Sequence, residues 1–183
     1  MLRQKSVILF CVTLEQFRQS KNEFFKSAQS PLPSKARADF TGLRYFAEKT
    51  DLRFSLPLER DPNTATILMQ TSTGAERVYQ RLGWVTFTVD GSSARLALYA
   101  PEGIEQPLEA FVPFMDATGG VETYEGGRYV EAALTGETVA LDFNLAYNPY
   151  CAYADHWSCP IPPLENRLKI AIRAGEKTFG DQA

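Results

Sequence analysis

The sequence predicts a mainly β protein: a single antiparallel β-barrel or β-sandwich domain with an N-terminal amphipathic helix and a long ordered C-terminal loop. Three observations predict it. After residue 52, apolar and polar residues alternate along most of the chain, which is the period of a half-buried strand. Turn signals separate these runs at short intervals with no crossover helix between them, so consecutive strands pair antiparallel. A convincing helical period occurs only near the N-terminus.

The elements follow in order. Thr13-Leu-Glu-Gln16 is a capping box, with a hydroxyl at the N-cap and Gln three residues on. Leu14, Phe17, Lys21, Phe24 and Phe25 recur at helical spacing, so residues 13–27 form one amphipathic helix. Ser30-Pro-Leu-Pro33 ends it, because proline cannot continue the hydrogen-bond ladder. Ser34 caps a second short helix running to Asp39. Residues 66–71 and 77–82 flank Ser72-Thr-Gly-Ala75 as a hairpin. Val85, Phe87 and Val89 alternate with threonines, and Asp90-Gly91 then turns the chain towards Leu96, Leu98 and Tyr99. Further strands are expected over 111–115, 127–133, 138–144 and 168–173.

Residues 145–166 show no period. Tyr147, Tyr150, Tyr153 and Trp157 are costly to leave in water, so this stretch should be an ordered flap folded over a face of the sheet. Pro149, Pro160, Pro162 and Pro163 lower the entropy it loses on ordering. The organisation expected is one domain over 1–183, with a helical arm over 1–40 and a β-rich core over 52–179.

At 183 residues, 44% hydrophobic and 22% charged, the chain can bury a core without crosslinks and lies outside the disordered class. A net charge of −3 and no basic face exclude nucleic acid as the expected partner. The apolar run Val7–Val12 is too short for a secretory segment or a bilayer span. The expectation is a soluble, cytoplasmic protein without membrane contact. Its cysteines, Cys11, Cys151 and Cys159, should then be thiols.

The chemistry-bearing residues concentrate late in the chain. Cys151-x4-His156-x2-Cys159 offers two sulfurs and the only imidazole within nine residues. Zinc takes such ligands, with Asp155, Asp142, Asp116 or water as the fourth. The same spacing suits a Cys151–Cys159 disulfide, or two buried thiols beside a hydrogen-bonded His156. Asp142 and Asn144, two apart on an expected strand, share a face within reach of Arg128. With Asp116, Thr118, Glu122, Tyr124, Tyr147 and Asn148 they form a polar cluster walled by aromatics, the composition of a ligand pocket. A satisfied internal polar network has that composition too. Glu122 with Asp116 or Asp142 could serve as an acid–base pair, and His156 as a base beside a cysteine. Arg167, in Glu165-Asn-Arg167, either ties the flap down by an ion pair or meets a ligand carboxylate. No nucleophile elbow, phosphate loop or dinucleotide fingerprint is present.

Taken together, Asp39-Phe-Thr-Gly-Leu-Arg-Tyr-Phe46, Thr71-Ser-Thr-Gly74, Phe111-Val-Pro-Phe-Met-Asp-Ala-Thr118, Glu122-Thr-Tyr124, Gly127-Arg-Tyr129, Leu141-Asp-Phe-Asn144, Ala146-Tyr-Asn-Pro149, Cys159-Pro160, Pro163-Leu-Glu-Asn-Arg-Leu168 and Ala171-Ile-Arg-Ala-Gly-Glu-Lys177 closely resemble the bacterial and archaeal DUF1684 family over about residues 18–179. The resemblance implies a β-rich domain of a soluble bacterial protein. It carries over no activity, cofactor or catalytic residue, because the family's own function is unknown. Met1–Val12 is more apolar than the family's usual start.

Three functional readings follow. The first is a small-ligand-binding β-domain with a polar and aromatic pocket beneath 145–166. The second is a hydrolase-like or metal-assisted enzyme using Asp116, Glu122, His156, Cys151 and Cys159. The third is a structural or interaction protein whose helical arm covers a second copy in a homodimer.

Overall fold

In the computed structural model, which describes residues 13–180, Thr13 caps the first helix, α1 (Leu14–Lys26), as the capping box requires. Its side chain accepts from Gln16 N at 3.2 Å while the Gln16 side chain accepts from Thr13 N at 2.9 Å. The helix turns Phe25 into a pocket of Leu32, Phe40 and Tyr153, with ring centroids 4.8 Å from Tyr153 and 5.6 Å from Phe40. Burying a side chain of that size contributes about 1.5–3 kcal/mol and holds the arm to its own chain. The short α2 (Ser34–Ala38) starts one residue earlier than expected: Ser34 is already helical, and Pro33 occupies the cap position without a side-chain bond.

Eight strands follow: β1 (Arg53–Pro57), β2 (Glu59–Arg60), β3 (Thr66–Gln70), β4 (Glu76–Val89), β5 (Ser92–Pro101), β6 (Glu109–Phe114), β7 (Arg128–Thr135) and β8 (Thr138–Asp142). They form one antiparallel sheet in the order β1-β8-β7-β6-β5-β4-β2, with β3 beside the first half of β4. β1 and β2 are separated by Leu58 alone, and they pair with β8 and β4, the two sides of the same opening. The sheet is therefore a nearly closed barrel, and the mainly β expectation holds.

The two runs expected at 77–82 and 85–89 are one fourteen-residue strand, bent by a bulge between Arg81 and Gly83. Gly83 is required there: a Cβ would fall 2.2 Å from the Glu59 carbonyl oxygen, where β2 lies against β4. The turns behave as their residues demand. Asp90 and Gly91 both take positive φ, 48° and 77°, in the tight β4–β5 connection.

Side chains alternate across the barrel wall. Val85, Phe87, Leu96, Leu98, Val112 and Phe114 point inward, joined by Val130, Ala132, Val139 and Leu141 from β7 and β8. Phe143 fills the end of this core, with ring centroids 5.4 Å from Phe87 and 5.3 Å from Phe114. Ile172 and Ala174 enter the same core from the C-terminal segment. Residues 168–173 are not the strand their alternation suggests. Their backbone bonds to Met115, Ala117 and the side chains of Asp116 and Arg128 instead of to a neighbouring ladder.

The outer face carries Met69, Ala97 and Tyr99, flanked by Tyr79, Trp84 and Phe111. Across it lies the 145–166 flap, ordered as expected. Tyr147 exchanges two backbone bonds of 2.9 Å with Tyr129, and the Tyr129 hydroxyl donates to the Pro160 carbonyl. Among the described residues no helix is long and apolar enough to cross a membrane. The Val7–Val12 run and Cys11 lie outside the described residues.

Candidate functional site

The polar cluster expected around Arg128 exists, but with a different partner and without a cavity. Arg128 and Asn144 are wholly buried. Arg128 does not meet Asp142 or Asn144. It bonds Asp116 Oδ2 at 2.7 Å, the Ile172 carbonyl at 2.7 Å and the Ala174 carbonyl at 2.5 Å. Asp116 also accepts from Thr118 N, Thr118 Oγ1 and Ile172 N, so each of its oxygens is engaged. Burial works against the guanidinium charge, and Asp116 offsets it. This is an internal network, with Arg128 Nε its one unpartnered donor, and it fastens the C-terminal segment to β7.

Asp142 and Asn144 do not share a strand face. Asp142 ends β8, and its carboxylate accepts from Asn144 N and Nδ2, winding residues 143–145 into a turn of 3-10 helix. Asn144 clasps the backbone of Lys49 from both its side-chain atoms, at 2.8 Å each. Asp142 pairs with Arg53 at the surface.

The acid–base candidates separate. Glu122 pairs with Arg173 at 2.8 Å, whereas Asp116 is held by Arg128. His156 is exposed and lies against the Trp157 ring, with centroids 4.8 Å apart. Among the described residues no group of three or more His, Cys, Asp or Glu side chains is placed to hold a metal ion. Arg167 is exposed at the rim of a depression of about 200 Å³ beside Leu68 and Leu164. The ion pair of its motif is made by Glu165, which bonds Arg81 at 3.1 Å and accepts from Tyr99 Oη at 2.6 Å. A second depression, of about 370 Å³, lies between residues 36–44 and 177–180. Apart from Arg167, neither is lined by the expected pocket residues.

Tyr147 and Asn148 lead to two carboxylates that the sequence reading passed over. Tyr147 Oη donates to Glu131 at 2.6 Å, and Lys21 lies 4.5 Å from the centre of the Tyr147 ring. Burial raises the Glu131 carboxyl above its ordinary value. Asn148 N and Tyr153 Oη donate to the buried Glu176 at 2.9 and 2.6 Å, and Lys21 completes an ion pair with it at 2.5 Å. The only sequence signal for this cluster was the helical position of Lys21, on the same face as Phe17 and Phe24.

Tyr124, Cys151 and Cys159 do come together. Cys151 sits in a 3-10 turn, Tyr150–Ala152, which Pro149 opens. Cys159 is gripped by the β3–β4 turn: its amide donates to Ser72 Oγ at 3.1 Å and its carbonyl accepts from Ser72 N at 2.9 Å. Tyr124 reaches over from the β6–β7 connection, and its ring lies against Gly126, where a Cβ would come within 2.5 Å of it. Its hydroxyl donates to Cys151 Sγ at 3.7 Å, and Cys151 N donates to Cys159 Sγ at 3.3 Å.

Both cysteines are free thiols; Cys151 is partly exposed and Cys159 is buried. The Cys159 thiol hydrogen-bonds the Cys151 sulfur, and the Tyr124 and Ser72 hydroxyls also reach it, so Cys151 is lowered to about 6 against the effect of burial. Ser72 Oγ donates to the Trp157 carbonyl at 2.9 Å, which ties the β3–β4 turn to the flap. Cys159 is pushed well above its ordinary range, because it donates to a charged neighbour and is itself buried.

Fold and site together describe a nearly closed β-barrel domain with a partly exposed thiol carried on a proline-rich flap. The chain belongs to the DUF1684 family, proteins of unknown function, whose model matches residues 38–177. It is similar to an uncharacterised protein of Haloarcula marismortui, known from a solution NMR structure. The two are 38% identical with a TM-score of 0.72, over 90% of this chain and 92% of that one. No curated protein matches the sequence.

Proposed function

We propose that this protein is a small-ligand-binding β-barrel domain whose point of contact is the Cys151 sulfur. The binding surface is the place where the flap, the Tyr124 ring and the turn at Ser72 meet. The observation that carries this reading is the meeting of a partly exposed Cys151 with the Tyr124 hydroxyl, 3.7 Å from its sulfur, and with Cys159, whose sulfur accepts from the Cys151 amide at 3.3 Å. Hydrogen-bond donors around a sulfur favour its thiolate, and the thiolate is the nucleophile and the soft ligand. The aromatic wall supplied by Tyr124, with Tyr150 and Trp157 edge to face nearby at a centroid distance of 5.2 Å, suits a small organic ligand with a soft electrophilic centre. Arg128, Asp116 and Asn144 act in this reading as part of the rigid scaffold that carries this surface.

Alkylation of Cys151 by iodoacetamide, followed by peptide mapping across pH, tests the reading. Half-maximal reactivity near pH 6 is expected, moving upward in Tyr124→Phe, which loses one donor. Reactivity that begins only near the ordinary thiol value of about 8.5, or a Cys151 that stays unmodified in the folded protein, overturns it.

A further inference from the structure

Cys159 Sγ accepts from the Cys151 amide at 3.3 Å, and the two cysteines differ in access. Cys151 is partly exposed, while Cys159 is 8% exposed and hydrogen-bonded to its neighbour. Both are carried by anchored backbone. Cys151 sits in its single 3-10 turn, and Cys159 is held between Ser72 and Pro160, whose carbonyl receives the Tyr129 hydroxyl. An outward sulfur with a second sulfur at its back is the arrangement needed for an attacking and a resolving thiol.

Resting on the reading of Cys151 as the contact point, we propose that Cys151 and Cys159 form a dithiol–disulfide couple whose substrate class is a small organic disulfide. The Cys151 thiolate attacks one sulfur of the substrate. A bond forms between Cys151 Sγ and that sulfur, the substrate S–S bond breaks, and one thiolate departs. Cys159 passes its proton to this departing thiolate and attacks Cys151 Sγ. The protein disulfide forms, the mixed disulfide breaks, and the second thiolate leaves, taking from water the proton that Cys151 had released. Two protein thiols are oxidised by two electrons, and one small disulfide is reduced to two thiols. Run backwards, the same steps oxidise a pair of small thiols.

The order of events is built into the pair. While Cys151 carries its charge, the hydrogen bond to it is the largest influence keeping Cys159 protonated. Once Cys151 is capped in a mixed disulfide that charge is gone, and the buried thiol is released to react only when there is something to resolve.

The test is to incubate the reduced full chain with glutathione disulfide under anaerobic conditions, quench it with acid, and map the products by intact mass and peptide analysis. The wild type should lose two hydrogens and yield a peptide bridged between Cys151 and Cys159. Cys159→Ser should stop at one glutathione moiety on Cys151, an adduct persisting at least about tenfold longer than in the wild type. A wild-type protein that keeps that adduct on Cys151 and never forms the bridge overturns the couple while leaving Cys151 a reactive thiol. A Cys151 that acquires neither adduct nor bridge overturns the couple and the proposed contact point together.

Discussion

Replacing Arg128 by Met should destabilise the protein heavily, because the change strands a charge. Arg128 is fully buried and donates to Asp116 and to the carbonyls of Ile172, Ala174 and Glu176. Methionine fills much of the volume but offers no donor. Removing one partner of a buried ion pair costs about 3–5 kcal/mol, since the remaining carboxylate is neither solvated nor paired. The orphaned carbonyls add to this, though not additively. With a urea m-value of about 2 kcal/mol/M, the unfolding midpoint should fall by about 1.5–2.5 M. Adding Asp116→Asn removes the stranded charge and should restore part of the loss. The measurement is urea unfolding followed by circular dichroism for wild type, both single variants and the double variant. A midpoint shift below about 0.5 M in Arg128→Met, or losses that simply sum in the double variant, would refute the account of Arg128 as an internal fastener.

Two further outcomes are expected. Asn166 is wholly buried and spans the β5–β6 region, accepting from Ala97 N at 2.7 Å and donating to the carbonyls of Ala97 and Pro113 at 2.9 and 2.8 Å. Asn166→Ala should cost about 2–4 kcal/mol in chemical denaturation, and a loss below about 1 kcal/mol would show those backbone groups finding other partners. Burial raises the Glu131 carboxyl in the folded chain, so above its ordinary value of 4.5 the folded state holds more protons than the unfolded one. Stability then falls as pH rises from 4.5 through the raised folded value. Glu131→Gln should flatten that slope in thermal unfolding across the acidic range, and an unchanged slope would remove the assignment.

What the sequence could convey was local. The capping box at Thr13 and Gln16 is a contact between residues three apart, and it formed as expected. Asp90-Gly91 and the Ser72–Ala75 turn likewise carry their own geometry. The aromatic and proline content of the flap was enough to foresee its order. Pairings between distant segments were not legible. The match of Arg53 to Asp142 that helps close the barrel joins residues with no shared pattern. Asp142 also shows how local chemistry can override alternation: its side chain captures Asn144 N, and the expected strand ends in a turn. The same holds for 168–173, whose alternation is that of a strand while its backbone bonds to side chains. At the candidate site, composition identified the two cysteines and Tyr124 separately. Their meeting depends on the β3–β4 turn gripping residues 157–161, and no spacing along the chain encodes that.

Glu176 joins segments far apart in sequence, holding both Lys21 of the first helix and Tyr153 of the flap. During synthesis, then, the first helix leaves the ribosome long before its partner exists. Its charged and aromatic face must wait for every strand of the barrel and the flap to emerge. Docking of the first helix should therefore be a late event in folding rather than an early one, and loss of the Glu176 carboxylate should be felt first at that helix.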